Sequence, residues 1–228
     1  EPLSQGLAER LRLTIIELPG HGGSEPAAAA DLSEWADLCL SAAPASAHWL
    51  GWSLGGQVAL RAALSASSRV TGLSLVATTP RFVQEPGWAC AMPVETFEQF
   101  AAALHGDPTA TLSRFLSLQV KGAEHARETL KLLRAELTQR PPASAAGLAQ
   151  GLELLLRNDL RAELKGLACP SHWLFGSRDT LVPRALQLWL HGHLPGADIQ
   201  EIPGAGHAPF LSHPYASLDA LIRTTGAI

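Results

Sequence analysis

The sequence predicts an α/β fold with a mainly parallel sheet, helices on both faces of that sheet and an all-helical insertion. Short apolar runs typical of buried strands alternate with helical segments, which is the pattern of a parallel sheet covered by crossover helices. The alternation stops between residues 83 and 161, where only helical patterns occur. A serine flanked by glycines, Ser53, lies between one apolar run and one helical segment.

The core elements are predicted from these runs in chain order. Apolar stretches predict strands at 13–18, 47–50, 69–78 and 171–175. A helix is predicted at 56–64, directly after Ser53. A chain of 228 residues with 46% hydrophobic and 17% charged residues can bury one substantial core. We therefore assign residues 1–82 and 162–228 to a single core domain.

The insertion is predicted to contain four helices. They are expected around residues 94–104, 109–120, 123–139 and 145–157. Glycine and proline residues such as Gly106, Pro108 and Gly122 separate them, as is typical of helix ends. An insertion between the strand after Ser53 and the strand at 171–175 is expected to cover a site at the sheet edge. We predict that residues 83–161 form this lid, which selects substrate and excludes water.

The pentapeptide Gly51-Trp52-Ser53-Leu54-Gly55 indicates a nucleophilic serine. It matches the Gly-x-Ser-x-Gly turn on which an α/β-hydrolase fold places its nucleophile, between a strand and a helix. Both flanking glycines are expected to let the strand and the helix pack closely around a strained serine. The pattern alone is a weak signal, because a chain with 20 glycines contains such short patterns by chance.

An acid and a histidine follow Ser53 in the order Ser…Asp…His that this fold requires. Asp179 lies in a polar loop after a buried strand, and His207 lies in a glycine-rich loop after a strand end. The structural alternatives are a capping or turn aspartate and a turn histidine without a role. A serine hydroxyl needs a base at neutral pH, so we predict Ser53 as nucleophile, His207 as base and acid, and Asp179 as the orienting carboxylate. The backbone N–H of Leu54 is predicted to bind the oxyanion.

A second oxyanion donor is expected from a loop that follows an early strand and usually carries His-Gly. The sequence does not contain this loop. Its first strand-like run, 13–18, already leads into the turn Pro19-Gly20-His21-Gly22-Gly23-Ser24, which is expected further along such a fold. We therefore expect a segment with the oxyanion loop and at least one strand to precede Glu1.

Composition argues against several other classes of function. No apolar run approaches the roughly 18 to 20 residues that span a bilayer. The net charge of −4 and the lack of a nucleic-acid motif argue against nucleic acid as a partner. Cys39, Cys90 and Cys169 lack metal or redox spacing, which predicts reduced thiols in a cytoplasmic protein, with a removed signal peptide as the alternative. His191 and His193 have no third ligand nearby in the sequence, so we predict no metal and no cofactor.

Part of the predicted lid is positively charged, whereas the chain as a whole has a net charge of −4. Residues 113–134 contain five basic and two acidic side chains. Arg127, Lys131 and Arg134 lie on one stripe of a predicted helix. This stripe is either a solvated helix face or a docking patch for an anionic partner.

Five segments of the chain together carry a family resemblance. They are 51–56, the turn 18–24, the run 114–119, the loop 175–183 and the C-terminal stretch 206–214. Together they resemble the family of pimeloyl-[acyl-carrier protein] methyl ester esterases, over essentially the whole chain. The resemblance implies a serine esterase of biotin biosynthesis that cleaves the methyl ester of a pimeloyl chain bound to an acidic carrier protein. It implies the same roles for Ser53, Asp179, His207 and Leu54.

The resemblance also assigns roles to lid residues. It implies that part of the acyl channel is formed by Phe115, Leu116, Ser117, Leu118 and Gln119. Arg114, Arg127 and Lys131 match basic positions that engage the carrier protein, whereas a further basic position of the family falls near Ala110 and is missing. Trp52 is either a wall of the acyl pocket or a core residue.

Two other functions stay open at this point. A carboxylesterase of broad, short-chain specificity or a carbon–carbon bond hydrolase on the same scaffold would show no preference for carrier-bound acyl groups. A catalytically silent binding protein would normally have lost one of Ser53, Asp179 and His207, which are all present. A monomer is expected in every case.

Overall fold

The computed structural model describes residues 2–139 and 141–224 of the chain. Its sheet consists of β1 (Ala47–Trp52), β2 (Val70–Val76), β3 (Ser171–Gly176) and β4 (Asp198–Ile202). These strands pair in chain order and all three pairs are parallel. The strands predicted at 47–50, 69–78 and 171–175 are confirmed, with bounds shifted by up to two residues.

Helices connect and cover the strands. In the described residues they are α1 (Pro2–Ala8), α2 (Leu32–Ala42), α3 (Leu54–Ser65), α4 (Val94–Gly106), α5 (Pro108–Gln119), α6 (Ala126–Thr138), α7 (Ala145–Arg157), α8 (Ala185–His193), α9 (Pro209–Ser212) and α10 (Pro214–Thr224), with a 3₁₀ turn at Leu164–Gly166. Four of them, α4 to α7, lie between β2 and β3, close to the predicted ranges. Residues 83–93 are not helical and instead form isolated bridges between Val83 and Met92 and between Glu85 and Trp88.

The two faces of the sheet bury different side chains, because successive residues of a strand point to opposite sides. Trp173 and Phe175 pack in the larger cluster, together with residues of α2, α3 and α8. Leu174 and Val76 pack in a second cluster with residues of α1 and α10. Helices therefore cover both faces, as the sequence predicts for this fold class.

The prediction of a strand at residues 13–18 is wrong. This stretch forms no ladder with any strand in the described part of the chain. The side chain of Ile15 is 67% exposed and that of Leu13 is 37% exposed. An apolar run becomes a strand only when a neighbouring strand satisfies its backbone groups, and β1 is paired on its β2 side only.

An ion-pair network joins the two ends of the segment between β2 and β3. Arg81 lies 2.8 Å from Glu85 and 3.6 Å from Asp159. Arg161 contacts both Asp159 and Glu85, and its guanidinium lies 4.8 Å from the ring of Trp88. The hydrogen bonds from Arg161 hold the pKa of Asp159 below its ordinary value. Charges in such a network support one another more than isolated surface pairs do, so the start and the end of this segment are held together.

A row of polar side chains crosses the sheet beneath the C-terminal helix. His48 Nε2 lies 2.9 Å from Ser74 Oγ, and Ser74 is the register partner of His172. His172 is buried, and its nearest acid, Asp198, lies 3.9 Å away. Burial lowers the pKa of His172, and burial together with the neighbouring His172 lowers the pKa of His48. Both imidazoles are therefore neutral at neutral pH.

The two histidines should make the fold sensitive to acid. Because their pKa values are lower in the folded chain than the ordinary 6.5, the unfolded chain binds more protons as the pH falls through that value. The free energy of unfolding should therefore fall between pH 7 and 5, and His172→Leu should reduce this fall. Urea unfolding at a series of pH values measures the free energy of unfolding of the parent and the variant. His191→Leu, at an exposed position of α8, is the control, and an equal reduction in that variant would contradict the assignment.

Candidate active site

Three of the predicted site residues follow three parallel strands. Ser53 comes directly after β1, Asp179 three residues after β3 and His207 five residues after β4. The carboxyl ends of parallel strands meet at one edge of a sheet, which is where α/β folds place their sites. The fold thus brings together side chains that are far apart in the sequence.

Ser53 occupies a strained turn between β1 and α3. Its φ of 54° and ψ of −120° are rare for any residue with a side chain. The backbone is held in this conformation because Ser53 N–H donates to Val76 C=O at 2.9 Å and Ser53 C=O accepts from Thr78 Oγ1 at 2.7 Å. Strain of this kind exposes the hydroxyl at the tip of the turn.

The glycines around Ser53 differ in what they do. A Cβ on Gly51 would collide with the carbonyl of Gly55, so β1 and α3 approach too closely for a side chain there. A Cβ on Gly55 itself would meet no atom within 4 Å, so the prediction that both flanking glycines are needed for packing is wrong at that position. Gly56 has this role instead, because its Cβ would lie 2.6 Å from the Cβ of Thr78.

Ser53, His207 and Asp179 form a continuous chain of hydrogen bonds. His207 Nε2 lies 2.9 Å from Ser53 Oγ, and His207 Nδ1 lies 2.9 Å from Asp179 Oδ2. The other carboxylate oxygen accepts from the N–H groups of Leu181 and Val182 at 2.8 and 3.0 Å. A carboxylate only accepts, so Nδ1 of His207 carries the proton and Nε2 is free to accept from the serine hydroxyl. The imidazole is 1% exposed, which keeps competing water away from it.

Two contacts hold the backbone of His207. Its N–H donates to the C=O of Gln119, the last residue of α5, at 3.0 Å. Its C=O accepts from Trp52 Nε1 at 2.7 Å. The Trp52 ring also packs at 5.8 Å from the His207 ring and at 5.1 Å from Phe210. Trp52 therefore supports the loop of residues 203–208, which carries His207 and which we call the histidine loop. The role of Trp52 as a wall of an acyl pocket stays a prediction.

Comparisons with known proteins show the family to which the chain belongs. Residues 1–220 match the model of the alpha/beta hydrolase family. The chain is 42% identical over 227 residues to the pimeloyl-[acyl-carrier protein] methyl ester esterase of Xanthomonas oryzae pv. oryzae, covering 100% of this chain and 89% of that protein. The chain belongs to this esterase family, within the alpha/beta hydrolases.

Other relatives support the same assignment. An esterase of the same name from Nitrosomonas europaea is 41% identical over 210 residues, which are 92% of this chain and 83% of that protein. Among solved structures, an esterase from Exiguobacterium antarcticum superposes with a TM-score of 0.85 at 21% identity, covering 99% of this chain and 87% of that one. At 21% identity, the likeness to the Exiguobacterium antarcticum esterase shows the fold alone.

The five predicted channel residues of the esterase family lie on the last turns of α5. Phe115 is half-buried and packs edge-on at 5.6 Å from Phe100, and Leu118 packs against the main core. Leu116 belongs to a buried cluster that includes Ala208, the residue after His207. Ser117 Oγ donates to Ser113 C=O within the helix. Their role as an acyl channel stays a prediction.

Gln119 is the channel residue with the most direct link to the site. Its carbonyl holds His207, and its side chain is 5% exposed with Oε1 unpaired by any described group. A buried amide oxygen without a partner is costly and is available to a ligand. The pattern of the sequence indicated a helix here but not its contact with His207.

The three predicted docking residues, Arg114, Arg127 and Lys131, are exposed on α5 and α6. None of them forms an ion pair with another described residue. Arg134 of α6 donates to Ser113 Oγ of α5 at 3.2 Å, so the two helices lie side by side at this point. We call the exposed basic side chains of these two helices, Arg114, Arg127, Lys131 and Arg134, the α5–α6 basic face.

The cysteines are poorly suited to nucleophilic chemistry. Burial raises the pKa of the Cys39 thiol to about 11 and also raises the pKa values of Cys90 and Cys169. The thiolate is the reactive form of cysteine, and these three residues form little of it at neutral pH.

No described helix is long and apolar enough to cross a bilayer.

Proposed function

We propose that this chain is a serine carboxylesterase that hydrolyses the methyl ester of a pimeloyl group carried by an acyl-carrier protein. The observation that carries the proposal is the Ser53–His207–Asp179 chain of hydrogen bonds at the sheet edge. The membership of the chain in the pimeloyl-[acyl-carrier protein] methyl ester esterase family supports the choice of ester.

Each of the three side chains has a defined task. Ser53 Oγ attacks the ester carbonyl carbon while its proton passes to His207 Nε2. That proton then goes to the methoxy oxygen, so methanol leaves and an acyl-enzyme remains. Water attacks the acyl-enzyme with His207 again as base, which frees the carboxylate and restores the serine. Asp179 holds the imidazole orientation and stabilises its charged form throughout.

Leu54 supplies one donor to the oxyanion. It opens α3, and the first N–H groups of a helix have no partner within the helix. The positive end of the helix dipole lies at the same place. Negative charge that develops on the carbonyl oxygen beside Ser53 is therefore stabilised there.

Residues 83–161 act as the lid in this proposal. The ion-pair network of Arg81, Glu85, Asp159 and Arg161 joins the two ends of the segment to each other. The C-terminal end of α5 lies on the His207 loop, so acyl chains that enter along Phe115 to Gln119 arrive at the serine. We assign chain-length selection to these α5 side chains.

The carrier protein docks on the α5–α6 basic face. Arg114, Arg127 and Lys131 are exposed and have no acidic partner among the described residues, so their charge is available to an acidic surface. The whole chain has a net charge of −4, which repels an acidic partner elsewhere and directs it to this face. We also propose that the protein acts as a monomer in the cytoplasm.

Reversing charge on this face tests the proposal. Arg127→Glu with Lys131→Glu should raise KM for the carrier-bound methyl ester by roughly tenfold or more, because steering by charge is lost. Added salt should raise KM of the parent enzyme in the same direction, since exposed charges are screened beyond about 8 to 10 Å. Hydrolysis of a small free ester such as nitrophenyl acetate should not change, because this substrate does not dock through a carrier protein.

The control is Lys165→Glu, which reverses an exposed charge outside α5 and α6. This variant should keep the parent KM for both esters. Equal losses on both esters in the double variant would mean that the lid fold had been disturbed. An unchanged KM for the carrier-bound ester would instead favour a broad short-chain carboxylesterase.

A further inference from the structure

A cluster of two histidines and a glutamate joins the turn between α5 and α6 to the residue that follows α9. Glu124 and His125 form the turn between α5 and α6, and His213 follows α9. One potential ligand atom of each residue lies within 4.8 Å of those of the other two. The rings of His125 and His213 have centroids 5.9 Å apart.

The contacts around the cluster leave one ligand atom free on each of two members. His213 Nδ1 lies 2.8 Å from Ser212 Oγ, whose hydroxyl donates to Ala208 C=O. With its own proton given to that carbonyl, Ser212 Oγ accepts from Nδ1–H, and the lone pair of Nε2 on His213 stays available. Oε1 of Glu124 pairs with Arg178 at 3.0 Å, which leaves Oε2.

These outer contacts resemble those that orient metal ligands. A ligating histidine almost always donates its second ring N–H to an oxygen, and ligating carboxylates are hydrogen-bonded in turn. The neutral imidazole is the form that binds a metal.

We propose that Glu124, His125 and His213 form a binding site for a divalent transition-metal ion such as Zn²⁺. Two imidazoles and one carboxylate match the ligand preference of zinc, and solvent completes the coordination. Glu124 and His125 are exposed and His213 is half-buried, so the ion enters from solution. The site is separate from the Ser53 nucleophile and takes no part in the hydrolysis.

A bound ion would tie the α5–α6 turn to His213, which follows α9. The end of α5 and the turn after it already contact the loop that carries His207, because Glu124 N–H donates to Gly204 C=O at 2.9 Å and His207 N–H donates to Gln119 C=O. An ion held by Glu124, His125 and His213 adds a further tie, from the turn to the residue after α9. Because only the folded chain brings the three ligands together, the ion stabilises the folded state.

Titration of the purified full chain with ZnCl₂, followed by calorimetry, tests the site. We expect one ion per chain in the parent and at least tenfold weaker binding in His125→Asn. Asparagine tolerates the left-handed conformation that His125 adopts at φ 55°, so this variant should fold. Glu124→Gln should weaken binding in the same way. Zinc should raise the unfolding temperature of the parent by a few degrees and that of the variants by less.

The matched control is His191→Asn, which removes an exposed histidine of α8 outside the cluster. This variant should bind zinc as the parent does. Unchanged zinc affinity in both His125→Asn and Glu124→Gln, or an equal loss in His191→Asn, would overturn the site.

Discussion

Ser53→Ala should lower kcat for ester hydrolysis by about a million-fold, the scale found when a serine hydrolase loses its nucleophile. Without the hydroxyl, His207 has no proton to accept and no acyl-enzyme forms. The fold should be preserved, because alanine fits the same strained backbone and the hydrogen bonds to Val76 and Thr78 are made by the main chain. Steady-state hydrolysis of nitrophenyl acetate measures the loss, and thermal unfolding measures the fold.

Ser65→Ala is the matched control for this experiment. It removes a serine hydroxyl at the end of α3, where the side chain donates only to carbonyls of the same helix. Activity should stay at the level of the parent. A Ser53→Ala variant that keeps more than about a thousandth of the parent kcat would exclude Ser53 as the nucleophile, because binding and oxyanion contacts alone leave far less.

Local patterns in the sequence predict most of the fold. The strands at 47–50 and 171–175 are short apolar runs bounded by turn residues, and the helix after Ser53 has a continuous helical pattern. These signals depend only on neighbouring residues, so they persist in the folded chain. The order of Ser53, Asp179 and His207 also predicts their meeting, because each follows a parallel strand.

The errors come from properties that depend on a partner. Residues 13–18 have the apolar pattern of a strand but no strand beside them in the described chain, and pairing is not encoded in the run itself. Gly55 and Gly56 look equivalent in the sequence, yet only Gly56 packs against Thr78. A glycine pattern indicates close packing without indicating which glycine is in contact.

Contacts between residues far apart in the sequence could not be predicted for the same reason. Nothing near Gln119 indicates that its carbonyl binds His207, or that Trp52 donates to the carbonyl of that histidine. The cluster of His125 and His213 could not be predicted either, because only the docking of the α5–α6 turn on the histidine loop brings them together. The spacing in the sequence that suggests a metal site belongs to His191 and His193 instead.

Asp179→Asn should lower kcat by about 10⁴, the loss measured for the same change in a serine protease triad. Oδ1 of Asp179 accepts from the N–H groups of Leu181 and Val182, and an asparagine can accept there only with its oxygen. Its NH₂ group must then face His207 Nδ1, which becomes the acceptor. The proton of His207 moves to Nε2, where it points at Ser53 and prevents the imidazole from taking the serine proton.

Asp31→Asn is the control, because Asp31 caps α2 and asparagine caps helices equally well. This variant should keep the parent kcat and unfolding temperature. The loss in Asp179→Asn should appear in kcat with little change in unfolding temperature, since the hydrogen bonds to Leu181 and Val182 are kept. A loss of less than tenfold, with the fold intact, would mean that Asp179 does not set the tautomer of His207. A loss that followed unfolding would assign Asp179 to the stability of its loop rather than to the reaction.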